Sequence, residues 1–470
     1  MPTSIEPLTL DPDRLFPSDP ATRGVARDLY AAVADLPIVS PHGHVAPSLL
    51  LEDESFRDPA DLLIRYDHYV TRLLHADGVD LADLGVGGAA AEPREIWRRF
   101  ASRWHLFEGT ASGYWLMHEL SELFAIAVNP SAATADAIYD AIAERLAEPE
   151  FRPRALFERF RIDVLATTDD PLDDLAGHAA LAADPGVTGR VLPTFRPDAY
   201  LDPAAAAFGD SVRRLADHHG TAPDDFSGYL DALEARRAHF IAHGAVSADH
   251  GVADCHTADL SDDEAASLFR LAVAGRLDAA GAREFRGAML LRMAGMSARD
   301  GLVMTVHAGV VRNHSSETLR ASGPDSGHDI PATTTFTHDL RPLLERYGLD
   351  RNLHLVLFTV DETAYSREIA PLAGFYPSVF IGAPWWFLDA PDAVLRFRSA
   401  VTETAGFSRG SGFIDDTRAF LSIPARHDMS RRLDAVFLAR LVIEGRLTRH
   451  QAERRVVDLV DAQPRKVFKL

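Results

Sequence analysis

The chain has almost no cysteine: Cys255 is the one thiol among 470 residues. No disulfide can form within it, and no thiolate cage can hold a metal. Long apolar runs are also missing, since no stretch reaches the roughly 18 apolar residues of a membrane helix. The segment Met1–Pro20 lacks a cationic stretch followed by an apolar one, so no secretory signal is read and the expected compartment is the cytoplasm. Positive charge is scarce, with 48 basic against 69 acidic side chains and a formal net charge of -21. Such a surface repels nucleic acid and anionic membranes, and neither is expected as a partner. An anionic small substrate would need a local cluster of arginines. Nucleotide and nucleophile signatures are absent too. There is no G-x-x-x-x-G-K-[ST], Gly85-Val86-Gly87-Gly88 does not follow a strand, and no G-x-S-x-G occurs. Cys255 has no neighbours that would make it a nucleophile.

What is present is an ordinary globular composition, 47% hydrophobic and 25% charged, ample for a large core. Short apolar runs recur along it, each ending at a polar or glycine-rich step: Pro37–Ser40, Asp163–Thr167, Arg190–Phe195, Gly244–Ala248, Leu302–His307, Leu353–Val360, Ser378–Gly382 and Gly412–Asp415. Most are rich in Val, Ile, Leu and Phe without alternation, as parallel strands buried on both faces require. The fourth and eighth are weak as strands by composition. Between them lie helical patterns. Ala135–Ala147 places Ile138, Ile142 and Leu146 on one face, and Ser261 with Glu264 and Thr448 with Gln451 have the spacing of capping boxes. Strands alternating with helices indicate a parallel α/β fold, and eight of them favour a closed (β/α)8 TIM-type barrel over an open sheet.

The expected division is an N-terminal helical segment over residues 1–36, the first barrel strand over 37–44 and a large helical insertion over the barrel mouth at 45–160. The remainder of the barrel follows over 161–432, with C-terminal helices over 433–470. The insertion carries aromatics at Trp97, Phe100, Trp104, Tyr114 and Trp115. A second helical excursion fills Leu260 to Ala298, and Ser315–Thr335 reads as a long loop.

In such a barrel the reactive groups gather at the C-terminal strand ends. His42-Gly43-His44 follows the first run, and two histidines two apart in extended backbone point the same way, so both can reach one divalent cation. H-x-H alone is a weak signal among 20 histidines, and strand-end position is what strengthens it. Asp416 follows the last run, beside the first strand once the barrel closes. It either completes that cation site or caps the next helix. Arg418, two residues on, points into the same mouth. His307 ends the fifth run, where a lone histidine is either a packed, hydrogen-bonded residue or a site residue, and Arg312-Asn313 follow it. Arg196 in Thr194-Phe195-Arg196-Pro197-Asp198 offers a planar fork for a carboxylate, or pairs locally with Asp198. The sixth run ends in Thr359-Val360-Asp361 without the histidine that hydrolases on this barrel often place there.

At these residues the chain resembles the uronate isomerase family, an outlying branch of the amidohydrolase superfamily. Pro37-Ile38-Val39-Ser40-Pro41-His42-Gly43-His44 is similar to the family's first-strand motif with its H-C-H core, and Asp67-His68-Tyr69 to its D-H-Y segment. Thr167–Pro171, Pro193–Asp198, Ser247–Gly251, His307–Gly309, Gly323–Gly327, Trp385–Phe387 and Asp416–Ser422 match further blocks in the same order. The resemblance implies interconversion of D-glucuronate and D-fructuronate, or of D-galacturonate and D-tagaturonate, through a cis-enediol. It implies one divalent cation, usually zinc, on His42, His44 and Asp416. Arg196, Arg418, His68, Tyr69 and His307 are implied as substrate-binding residues, with Tyr69 and Asp416 as the proton-handling pair. A small-molecule hexuronate is the expected partner, and association with further copies of the chain is expected. The chain departs from the family at H-G-H for H-C-H, at Met304-Thr305-Val306-His307, and over Ile423–Arg432. A metal-dependent hydrolase of a lactone or amide, and a sugar-acid binding protein without turnover, are the alternatives.

Overall fold

The computed structural model describes residues 6–205 and 207–470. Met1–Ile5, the start of the expected N-terminal helical segment, lie outside the described residues, as does Ala206. Ten strands occur among them: β1 Ile38–Ser40, β2 Ile162–Ala166, β3 Arg190–Leu192, β4 Thr194–Phe195, β5 Ser247–Val252, β6 Val303–Ala308, β7 Val310–Val311, β8 Ile330–Pro331, β9 Leu355–Thr359 and β10 Val379–Ile381. All but the β7–β8 hairpin pair in parallel, in the orders β1-β2-β3 and β10-β9-β6-β5-β4. Buried β-branched and aliphatic residues fill both faces, which is what continuous apolar runs predict for a sheet sandwiched by helices.

β3 and β4 form one run in the sequence and two strands in the structure. Pro193 between them has no N–H to give to a ladder. The chain beyond β2 bridges the break: Thr167 N donates to Leu192 O at 2.9 Å and Asp169 N to Thr194 O at 3.0 Å. At the far side Ser411 N donates to Ile381 O at 2.8 Å, and His44 N, just after β1, donates to Thr417 O at 3.0 Å. Backbone hydrogen bonds therefore run from β1 through each neighbour to the 410–417 segment and back to the end of β1.

Two weak runs behave differently from the expectation. The fourth run becomes β5, which starts at Ser247 instead of Gly244, because Gly244 at φ +90° turns the chain out of the helix Phe226–Ala242. This carries Asp249 and His250 into the strand. The eighth run, Gly412–Asp415, is no strand, and Gly410 makes only an isolated bridge to Ile381. Gly412 has φ +81°, and a Cβ there would lie 2.6 Å from Pro464 Cδ, so the chain is bent around the C-terminal helix instead of extended.

Between β1 and β2 the chain is helical. Ile96, Trp97, Phe100, Phe107, Ile138 and Ile142 build a core of their own that continues onto Ile162 and Leu165 of β2. Both capping boxes form as read, and the helix read over Ala135–Ala147 spans Ala135–Leu146 with Ala147 as its C-cap. Ser315–Thr335 is not wholly loop: Ser315 caps the helix Ser316–Ser322 by accepting from Thr318 N, and β8 pairs with β7. A long helix, Ile423–Ile443, packs against Pro20–Ala31. Among the described residues no helix is long and apolar enough to cross a membrane.

Candidate active site

The polar ends of the parallel strands open into one cavity of about 780 Å³, and every residue singled out above lines it: His42, His44, His68, Tyr69, Arg196, His307, Asp416 and Arg418. β1 runs into the histidine pair, whose Nε2 atoms lie 3.3 Å (His42) and 2.9 Å (His44) from Asp416 Oδ1. Asp416 holds left-handed backbone at φ 39°, which aspartate tolerates better than most residues and which turns its carboxylate toward the pair.

The three residues fit a cation. Asp416 Oδ1 is buried and has no partner of hydrogen-bond geometry, although both imidazoles converge on it. Ligand atoms at about 2.0–2.1 Å around a tetrahedral zinc lie about 3.3 Å apart, close to the 2.9 and 3.3 Å found here. His42, His44 and Asp416 are one group whose ligand atoms lie within 4.8 Å of one another, and His42, Asp249 and His307 are a second.

His307 is bound from behind. Its Nδ1 lies 2.7 Å from Asp249 Oδ1, which also accepts from Thr305 Oγ1 at 2.7 Å. That leaves His307 Nε2, 3.9 Å from Asp416 Oδ2 and without a hydrogen bond, facing the cavity. The ring stacks between His42 at 4.8 Å and Phe358 at 4.1 Å. Arg196 forms the local pair with Asp198, Nε donating at 2.8 Å, and its Nη1 lies 3.4 Å from Asp249 Oδ2. Arg418 is freer, 43% exposed, with Asp325 at 3.5 Å. His68 and Tyr69 enter from the helix His68–Ala76 between β1 and β2; the His68 ring stacks on Tyr69 and tilts against Trp386.

Burial opposes every charge here, and neighbours decide the outcome. Burial raises the Asp416 carboxyl, but His42 and His44 overcome it and hold that group well below the usual carboxylate range. Burial would lower His42, yet Asp249 and Asp416 carry it above the ordinary imidazole value. His44, with less carboxylate around it, is lowered by burial. The Tyr69 phenol is pushed up by burial, against the pull of Arg426.

Asp249, which lines the cavity, is not marked in the sequence as a site residue, and neither are Asp389, Arg426 and Glu119, which are buried outside its lining. Asp249 had a signal, a carboxylate in the Ser247–Gly251 block, hidden by a strand placed too early. Asp389 and Arg426 pair at 2.7 Å from distant parts of the chain, and no local pattern marks them. Burial raises Asp389 to about 7 and Glu119 to about 8.

A His-x-His pair and an arginine just beyond parallel strands, with an aspartate and a second arginine from the 410–418 segment around the same pocket, define an α/β enzyme with a metal-type centre. Comparison with known proteins narrows this. The family model described as glucuronate isomerase matches residues 21–468. A uronate isomerase of Corynebacterium efficiens is 54% identical over 98% of both chains. The crystal structure of glucuronate isomerase from Caulobacter crescentus superposes with a TM-score of 0.97 at 48% identity, over 99% of this chain and 98% of that one. That of a Thermotoga maritima uronate isomerase gives 0.91 at 27% identity, over 98% and 99%. The chain belongs to the glucuronate isomerase family.

Proposed function

We propose that this protein interconverts a hexuronate aldose and its ketose, D-glucuronate with D-fructuronate or D-galacturonate with D-tagaturonate. The observation that carries the reading is the shared cavity: a cation-type His42-His44-Asp416 set, a phenol and two arginines within one pocket with ample room for a sugar. In the reaction the proton on C2 leaves, the C2 hydroxyl hydrogen ends on O1, and C1 receives a proton, by way of a cis-enediol. Asp416 takes and returns the carbon-bound proton. Tyr69, a phenol that can donate and accept, serves the two oxygens. Arg196 and Arg418 bind the substrate carboxylate, with His68 and His307 orienting the hydroxyls. His42, His44 and Asp416 would hold one divalent cation, zinc by its N/O donor set; when bound it polarises substrate oxygens as a Lewis acid.

The same reading takes the hydrogen-bonded strand order, returning from Thr417 to His44, as a closed (β/α)8 barrel, with residues 45–160 as an insertion over its mouth. Entry of His68 and Tyr69 into the cavity from those residues supports it. Family membership and a β9 end without histidine favour isomerisation over lactone or amide hydrolysis. Purified enzyme with its metal content measured, incubated with a hexuronate panel, should form ketose from glucuronate or galacturonate. Inert uronates together with cleavage of a lactone or amide would overturn the proposal.

A further inference from the structure

Behind the Tyr69 ring lies a charge that the chemistry above does not use. Arg426 sits in the first turn of helix Ile423–Ile443 with its side chain 1% exposed. A buried guanidinium is costly to desolvate and persists where its donors and charge are answered. Here Nη1 donates to Asp389 Oδ2 at 2.7 Å and Nε to Ser422 Oγ at 3.1 Å. Its carbon stands 3.5 Å from the centroid of the Trp115 ring and 5.2 Å from that of Tyr69. The two rings meet edge to face at 5.5 Å and 86°. Four elements far apart in sequence deliver this arrangement: the long C-terminal helix, the turn at Asp389, and the insertion helices Ala111–His118 and His68–Ala76.

We propose that Arg426 is a positioning residue for Tyr69: pinned by Asp389 and Trp115, its guanidinium fixes the phenol at the cavity wall and supplies the positive charge against which that phenol releases and regains a proton. The inference rests on the role given to Tyr69 above. The other charged and titratable groups facing Tyr69 are Asp67, His68 and Arg72 on its own helix, Asp389, and Asp416. Burial is the largest influence on the phenol and disfavours its ionised form. Arg426 is the largest charge effect and favours it, while the three aspartates oppose. Without Arg426, nothing of comparable size offsets burial. A unit charge at this separation, in a partly screened interior, is worth about one to two pKa units.

The test reads the phenol directly. An acidic fluorinated tyrosine is installed at position 69, and its fluorine resonance is followed against pH. Arg426→Met removes the guanidinium alone and leaves Asp389, the carboxylate that opposes it at the phenol, in place. Its phenol should titrate about one to two pKa units higher than in the otherwise unmodified protein. With ordinary Tyr69, kcat for uronate isomerisation should fall on the order of 100-fold, with KM within about threefold and cation content unchanged. Arg426→Lys keeps the ion pair but loses the stacked plane, and gives an independent reading should Arg426→Met fold poorly. Its kcat should drop about tenfold at constant KM, and wild-type kcat there would overturn the positioning role. An unshifted fluorine titration overturns the inference whatever the activity. An inert wild-type enzyme would instead overturn the proposed function, and the titration would still decide the effect of Arg426 on Tyr69.

Discussion

Replacing Arg418 with methionine should separate recognition of the acid group from everything else the site does. Arg418 is 43% exposed and faces one carboxylate, Asp325, at 3.5 Å. An exposed ion pair of that length contributes at most about 1 kcal/mol, so the variant should fold with near-normal stability. A hydrogen bond between a guanidinium and a substrate carboxylate is worth about 1.5–3 kcal/mol, or roughly 10- to 150-fold in affinity. The assay is calorimetric binding of a hexuronate and of the matching neutral hexose to wild type and Arg418→Met. The uronate should lose about 10- to 150-fold, and the hexose should change little. Equal losses for the two sugars would refute a carboxylate role for Arg418. Arg196→Met should act differently. Removing that side chain strips Asp249, 1% exposed, of a cation 3.4 Å away, and stability should drop by about 3–5 kcal/mol along with uronate binding.

Asp249→Asn should lower kcat about 10- to 100-fold while the fold survives, because an amide no longer holds His307 Nδ1 as a carboxylate does; unchanged kcat would remove Asp249 from the site. Glu119, 4% exposed, has its carboxyl raised by burial from 4.5 to about 8. The folded chain keeps that proton where the unfolded chain has lost it, so stability should fall as pH rises from about 4.5 to 8, by up to about 5 kcal/mol at roughly 1.4 kcal/mol per pH unit. Glu119→Gln should flatten this dependence in urea titrations at several pH values, and an identical slope would contradict the burial argument. At Gly43 an added Cβ would meet only ordinary contacts of 3.5–3.6 Å from Ala166 O, Asp415 Oδ1 and Thr417 O. Gly43→Ala should therefore retain the cation and kcat within about threefold, and gain about 0.4–1 kcal/mol of stability. Loss of the cation would mean that glycine is required there.

The parts of the site visible in the sequence are those written in short stretches at strand ends. His42-Gly43-His44, Arg196 and His307 can each be placed because a buried strand of Val, Ile and Phe announces where its polar end falls, and the Asp416-Thr417-Arg418 step because a short apolar run, though no strand, ends there. Their meeting in one cavity follows from strand order, which the alternation of strands and helices already implies. Local conformation at weak strands was harder to read. Gly244 delays β5 and so hides Asp249, and Gly412 bends around Pro464, so that the last run is no strand. Arg426, Asp389, Trp115 and Glu119 lie deeper still: each is unremarkable in its own stretch, and only packing of the helices between β1 and β2 against helix Ile423–Ile443 makes them neighbours. Side chains joined by tertiary packing leave no periodic trace along the chain.

Isomerisation as proposed requires Asp416 to move a proton at C2 of a uronate held beside the histidine pair. Proton NMR of the uronate in heavy water measures that step alone. Wild-type enzyme should exchange the C2 proton for deuterium as ketose appears, and Asp416→Asn, folded by circular dichroism, should exchange none. Exchange at the wild-type rate in that variant would contradict the account.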